Sequence, residues 1–304
     1  MGQYKGQLYL ILAASIWGGL YVVSKVVLEV VPPLVLVWLR YLIALITLGL
    51  LGAVLRQSWQ LQKRHLPLVA AIGVIGYFLS IWAQFVGTKL SSAQMGAVIT
   101  SATPAFMALF ARILLKEAIT LRKMVAVCLA TIGVLLVVGI GVVDATTQRG
   151  GLMLVVAALT WALMSVLIKL VPSHYSQLVV TTYAMLAAAT VMTPLALAEF
   201  RPDAGQWLVQ PKIWGGVLYI GVVATAGAFY FWTKGLQLVD ATQAGLYFFF
   251  QPLVGTILGW LCLGEQVGFS FWLGTLLIIG SVLLVIKTDA CNDVTCPESK
   301  AASR

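Results

Sequence analysis

The chain has 304 residues, 61% of them hydrophobic and only 10% charged, with a formal net charge of +9. Soluble domains hold roughly 45–50% apolar and 25% charged residues, so this composition excludes an ordinary water-soluble fold and makes a bilayer the expected solvent. The positive charge does not read as a nucleic-acid footprint, because no basic run is interleaved with aromatics and the Lys and Arg fall mostly between apolar segments.

Ten apolar stretches follow one another, at about 8–27, 34–55, 66–86, 92–115, 124–143, 151–170, 177–198, 213–234, 241–263 and 269–287. Each is close to the roughly 20 residues that a helix needs to cross hydrocarbon. Each is also continuously apolar rather than alternating, which favours helices over barrel strands. Only Lys5 precedes the first stretch as a basic residue, and the run from Leu8 to Val27 contains Trp17 and outlasts a usual signal core. It therefore reads as a retained helix rather than a cleaved leader. The breaks carry turn or charge signals: Pro32-Pro33, Lys63-Arg64-His65, Lys116-Glu117, Asp144 to Gly150, Pro172 to His174, Arg201 to Lys212 and Gly264-Glu265.

The first five stretches resemble the last five. Trp17 and Lys25 align with Trp161 and Lys169 at one offset, and Pro104 and Glu117 align with Pro252 and Glu265 at another. The expected organisation is an all-α membrane protein with ten transmembrane helices in two five-helix repeats, residues 1–145 and 146–287, followed by a polar cytoplasmic tail at 288–304. Because five is odd, the second repeat enters the membrane from the opposite face, which makes the repeats inverted and suits alternating access. Most Lys and Arg, among them Lys5, Arg56, Lys63, Arg64, Arg112, Lys116, Arg122 and Lys123, fall on the N-terminal side. The positive-inside tendency thus puts both termini in the cytoplasm of a cell-membrane protein.

Several side chains suggest a polar pathway. Trp17, Tyr21 and Lys25 fall at i, i+4 and i+8 of the first helix, and Trp161, Ser165 and Lys169 do the same in the sixth, so each set shares one face. A face carrying charge and hydroxyls belongs toward a bundle interior or a wet cavity rather than toward lipid. Snorkelling of each Lys from a helix end is the bland alternative. Arg40 lies well inside the second helix, where a guanidinium could take a carboxylate through two parallel hydrogen bonds; a purely structural Arg is the other reading. Gln243, Tyr247 and Gln251 line one side of the ninth helix beside Phe248, Phe249 and Phe250. Pro104, next to Thr100 and Thr103, and Pro252 are expected to kink their helices and free carbonyls. Tyr77, Ser80 and Gln84 of the third helix could complete the lining. Glu117 and Glu265 end their helices as candidate proton-linked gates, with Lys25 and Lys169 as gating or coupling residues.

The segment Ala13-Ala14-Ser15-Ile16-Trp17-Gly18, the Leu39-Arg40-Tyr41 of the second helix, and the paired Pro104…Glu117 and Pro252…Glu265 segments resemble the EamA family of the drug/metabolite transporter superfamily. The likeness covers nearly the whole chain, though no single motif is specific. It implies an inner-membrane carrier of small metabolites, often amino acids and often outward, with a pathway lined by helices 1, 3, 4, 6, 8 and 9. Thr225 and Trp232 would contribute from helix 8. Amino acids or related zwitterions and organic anions are the expected substrates. A nucleotide-sugar or phosphorylated-metabolite exchanger is the alternative, but it would want more cavity cations than Arg40 alone. From another class, a membrane sensor or assembly subunit would carry no flux.

An enzyme is not expected. His65 and His174 lie in predicted loops, and neither a His-Glu-x-x-His zinc pattern nor a phosphate-binding Gly-rich loop occurs. Cys128 and Cys262 sit in apolar helices, and Cys291 and Cys296 form a C-x₄-C pair that is a poor zinc signature and reads as free thiols. No cofactor or metal is called for. The expected partners are a small-molecule substrate and the lipid bilayer. Gly255 and Gly259 make a G-x-x-x-G step that either packs helices within one chain or joins two copies as a homodimer.

Overall fold

The computed structural model describes residues 2–100, 102–116, 121–138, 144–172, 174–200, 209–238, 247–248, 250–264 and 268–294. Among these the chain is helical, without strands. Helix α1 covers Gly2–Leu28, α2 Pro33–Val54, α3 Lys63–Leu90 and α4 Ala93–Leu115. They are followed by α5 at Leu121–Val138, α6 at Ala145–Ile168, α7 at Gln177–Glu199, α8 over residues 211–238, α9 at Phe250–Leu263 and α10 at Phe269–Val294. Seven of these, α1 to α4 and α6 to α8, are long and apolar enough to cross a membrane, while Phe250–Leu263 and Phe269–Ser281 are shorter apolar helices. Helix α10 runs to Val294, past the expected end at 287, so the start of the expected polar tail is helical.

Local chemistry sets the ends. Pro33 opens α2, where its missing N–H has no partner to lose and its fixed φ already suits a helix. Asp144 caps α6 by accepting from the backbone N–H of Thr146 at 2.9 Å and Thr147 at 3.1 Å, and from the Thr147 hydroxyl at 2.5 Å. These bonds favour the carboxylate and hold the Asp144 carboxyl below its ordinary value. Helix α4 leaves through Lys116 in the left-handed region (φ 56°), and α9 leaves through Gly264 at φ 64°. The same turn thus ends the corresponding helix of each half, with the glycine it favours in only one of them.

Two further features recur. Helices α3 and α8 each contain a wide π-helical stretch, Gly73–Ser80 and Tyr219–Gly227. Such stretches are rare, and they concentrate at functional sites. Helix α1 packs on α8 and α9 as α6 packs on α3 and α4, α2 meets α7, and α5 meets α10. Shifting each helix number by five, counted round ten so that α8 becomes α3 and α9 becomes α4, converts the first of these contacts into the second, as expected for a duplicated unit.

The main core joins α1, α2, α3, α6, α7 and α8 through residues such as Val35, Leu36, Tyr41, Val180, Met185 and Ala224. Close crossings depend on glycine. A Cβ on Gly73 would land on the backbone carbonyl of Ala184 in α7, and one on Gly18 would lie 2.7 Å from the carbonyl oxygen of Gln251 in α9. Outward faces are apolar: Ile46, Leu50 and Val54 form an exposed stripe on α2, and Trp260, Leu261 and Leu276 are equally exposed. In water such stripes would be a large patch with no cover, whereas hydrocarbon accepts them. The chain is a multi-pass membrane protein.

The crossing at Gly73 cannot open without moving backbone, so Gly73→Ala should lower stability in detergent by about 1–3 kcal/mol. Gly49→Ala, where nothing lies within 4 Å of the added Cβ, should be neutral or stabilising by up to about 1 kcal/mol. Thermal melting of the two variants checks the contrast. In the same assay Lys116→Gly should raise the melting temperature, by relieving a left-handed cost of about 1–2 kcal/mol less the entropy glycine adds to the unfolded chain.

Candidate functional site

A cavity of about 490 Å³, counted to its open mouth, lies between α1, α2, α3, α4, α6, α8 and the residues leading into α9. One end is polar. Thr100 donates to the Gly96 carbonyl at 2.7 Å, so the Tyr21 hydroxyl is the donor in the 2.5 Å contact between Tyr21 and Thr100. Gln251 Nε2 then donates to both oxygens, at 3.1 Å and 3.3 Å, which leaves its buried Oε1 without a partner. Gln84 reaches the same Tyr21 hydroxyl. Gly96 makes room for this group, since a Cβ there would lie 2.6 Å from the Tyr21 ring. Helices α1 and α9 meet closely because Gly18 and Gly255 are bare, and Gly255 faces Ala97 of α4. Gly255, the first glycine of the G-x-x-x-G step, therefore packs inside the chain.

Arg40 enters from α2 and is 1% exposed. Its Nε donates to the Thr225 hydroxyl at 2.9 Å, and Thr225 in turn donates to the Ile220 carbonyl, five residues back in the wide part of α8. The guanidinium lies 5.3 Å from the Phe85 ring centroid and 5.6 Å from that of Tyr41. Among the described residues no carboxylate pairs with it, and Nη1 is buried without a hydrogen-bond partner. A charged donor in that condition is costly, commonly by several kcal/mol.

The rest of the lining is aromatic. Trp17 donates its indole N–H to the Ala224 carbonyl at 3.1 Å and stands 5.6 Å from Phe229 and 5.9 Å from Phe248, ring centre to ring centre. Trp161 meets Phe229 at 5.9 Å. The two tryptophans matched by the sequence repeat thus converge on one phenylalanine of α8.

Of the expected substrate-binding residues, Trp17, Tyr21, Arg40, Gln84, Thr100, Trp161 and Gln251 line this cavity. Four others stand outside its lining. Tyr77 is buried behind it, edge-on to Trp161 and Phe229, with its carbonyl accepting from the Tyr41 hydroxyl. Ser165 donates to the Trp161 carbonyl of its own helix, a low-cost partner for a hydroxyl in an apolar bundle. Trp232 backs Trp17 and Phe248 at 5.3 Å and 4.6 Å, and Tyr247 packs by Leu10. Gln243, Glu117, Glu265 and Cys296 lie outside the described residues. Pro104 and Pro252 each stand in the first turn of a helical segment rather than in mid-helix, because α4 is broken between Thr100 and Thr103 and α9 begins at Phe250. Lys25 donates to the carbonyls of Thr88 and Lys89 at 3.0 Å and 2.9 Å and to that of Ser91, tying the end of α1 over the end of α3. Lys169 is exposed at the end of α6. Phe229, Leu20 and Ala158 are lining residues that the sequence did not single out, since apolar side chains in apolar helices carry no local signal. Among the described residues no three His, Cys, Asp or Glu side chains cluster closely enough to hold a metal ion.

Comparison with known proteins agrees with this architecture. The model of the EamA-like transporter family matches twice in tandem, at residues 4–139 and 148–287. The uncharacterized transporter YetK of Bacillus subtilis is 27% identical over 280 residues, 90% of this chain and 84% of that protein. A riboflavin transporter of Brucella anthropi is 25% identical over 262 residues, 86% of this chain and 90% of that one. A solved crystal structure covering 93% of this chain and 97% of its own superposes with a TM-score of 0.66 at 21% identity, a likeness of fold alone. With the family pattern present in both halves, the chain belongs to the EamA-like transporter family.

Proposed function

We propose that this protein is a secondary transporter of small metabolites carrying a carboxylate or similar anionic group, bound in the cavity around Arg40 and moved by alternating access of two inverted five-helix repeats. The observation that carries the reading is Arg40 itself. A fully buried guanidinium with no acid partner among the described residues and an unsatisfied Nη1, lining a cavity, is a site that an anion completes. Gln251 Oε1 offers one acceptor to a donor on the same ligand, and the rings of Trp17, Trp161, Phe229 and Phe248 suit a planar or apolar body. An amino acid fits if its ammonium takes Gln251 Oε1 and a ring face. The Brucella anthropi relative named a riboflavin transporter makes a neutral flat ring system the second reading, and the aromatic walls favour it. In this reading the protein sits in the cell membrane with both termini cytoplasmic and ten membrane crossings, which the shorter helices α5, α9 and α10 complete.

Purified protein in liposomes, offered amino acids, organic anions and riboflavin with and without a pH gradient, tests the proposal. Anion flux should fall by about 30-fold or more in Arg40→Met and by less in Arg40→Lys, which keeps the charge but loses the planar fork. Unchanged anion flux in Arg40→Met would remove the proposal, and flux of riboflavin alone would select the second reading. A structural Arg and a substrate-binding Arg are separated by stability. Replacing a buried, uncompensated charge with an apolar side chain is often neutral or stabilising, so Arg40→Met should melt at the same or a higher temperature. A fall of several degrees would mark Arg40 as a structural element.

A further inference from the structure

A second cavity, of about 470 Å³, lies against the first. It is built from the end of α2 (Leu48, Leu55, Gln57), the start of α7 (Ser176, Gln177, Thr181) and the second half of α8 (Tyr230, Lys234). Phe229 lines both cavities. Its ring is held by Trp17 and Tyr77, each at 5.6 Å, and by Trp161 at 5.9 Å, and it is 8% exposed. Phe229 is the residue common to both linings, and Tyr77 stands beside it, in ring contact with Phe229 and hydrogen-bonded to Thr181 of the outer cavity. Among the described residues the lining of the outer cavity holds one charged group, Lys234, beside hydroxyls, amides and apolar groups.

We propose that this second cavity is an antechamber that attracts the anionic group of the substrate through Lys234, and that Phe229 is the partition between it and the Arg40 cavity. The inference rests on the transport reading for its purpose, but access to the two cavities can be measured without any flux. The charge logic is continuous: an anion meets Lys234 first and Arg40 second, with aromatic faces between them. The geometry also supplies a way to move the partition. Phe229 lies two residues beyond Gly227, the last residue of the wide stretch of α8. Drawing that stretch back to α-helical winding takes one residue out of a turn and rotates everything after it by about 100°, which swings the Phe229 ring off the tryptophans. The space beside Gly227 is open, since a Cβ there would meet only its own helix, at the Val222 carbonyl 3.4 Å away.

Thiol labelling tests both halves of the proposal. In the full chain with its native cysteines replaced by serine, Thr181→Cys places a thiol in the antechamber and Ser80→Cys places one in the inner cavity. Vesicles of each sidedness are exposed to anionic sulfonatoethyl methanethiosulfonate or to its cationic trimethylammonium counterpart. Thr181→Cys should react from one face, with a preference for the anionic reagent that falls about fivefold in Lys234→Gln. From that same face Ser80→Cys should react about tenfold or more faster once Phe229→Ala or Phe229→Leu is added, and no faster with Phe229→Trp. The buried Ala188→Cys, at the packing of α7 and away from both cavities, should stay unreactive in every correctly folded variant. Where Phe229→Ala exposes Ala188→Cys, Phe229→Leu supplies the measurement.

An anionic preference that survives Lys234→Gln would overturn the role of Lys234. Equal labelling of Ser80→Cys with and without the Phe229 ring would overturn the partition. Labelling as expected in a protein that carries nothing in liposomes would leave the antechamber standing and remove the transport reading. Flux that depends on Arg40, with labelling indifferent to Lys234 and Phe229, would do the reverse.

Discussion

A guanidinium cannot leave water for the interior of a membrane protein without partners, and the construction around Arg40 follows from that constraint. Its Nε is satisfied by Thr225 and its face lies near the rings of Phe85 and Tyr41, but weak ring contacts and one neutral hydrogen bond return only part of the desolvation cost. The tether itself depends on the unusual winding of α8. Thr225 donates to the carbonyl five residues behind it, whereas a threonine in an α-helix bonds three or four behind, as Thr47 and Thr100 do here. The wide stretch therefore turns the Thr225 oxygen toward α2 and leaves it free to accept from Arg40. What remains uncompensated is Nη1, at the wall of the cavity.

The duplicated scaffold is close to symmetric, and the chemistry placed on it is not. Both halves contribute a tryptophan to the same phenylalanine, both contain a π-helical stretch, and both end a helix in a left-handed turn. Yet the polar lining comes mainly from the first half: Tyr21, Arg40, Ser80, Gln84, Thr100 and Thr103, against Gln251 from the second. Where the first half has Tyr21 the second has Ser165, whose hydroxyl is spent on its own helix, and Thr182 of α7 bonds to Leu178 in the same way. Duplication supplied two packing units, and divergence made one of them polar.

Much of this was legible in the sequence because hydropathy and repeat spacing act over whole helices. The helices α1 to α4 and α6 to α8 lie within about six residues of their expected bounds, and the i, i+4 polar spacings in the first and ninth stretches pointed to Tyr21 and Gln251. Arg40 stood out because charge within an apolar run has few explanations. Ser165 and Trp232 were placed on the right helices and Tyr247 just ahead of α9, yet all three fall outside the cavity lining, since a spacing pattern fixes a face only to within a helix turn and cannot show whether a hydroxyl bonds its own backbone. Phe229 was invisible for the opposite reason: its importance lies in two cavities and three rings that only tertiary packing brings together. The π-helical stretches left no residue-level mark either, because their glycines also read as ordinary close-packing positions.

In the transport reading the two ends of the pathway are held by interactions of different kinds. At the Lys25 end an ammonium donates to three backbone carbonyls at the terminus of α3, where the helix dipole adds to the attraction. Hydrogen bonds to a charged group contribute about 1.5–3 kcal/mol each, so parting α1 from α3 means losing several kcal/mol before water or substrate replaces them. At the other end, in the proposed arrangement, the Phe229 ring meets three neighbours through contacts each of order 0.5–1.5 kcal/mol beyond the area they bury, and swinging it by rewinding α8 also gives up the bond from Thr225 to the Ile220 carbonyl. The Lys25 side needs a compensating event, and a bound anion that satisfies Arg40 and draws α2 and α8 together is the natural candidate for it.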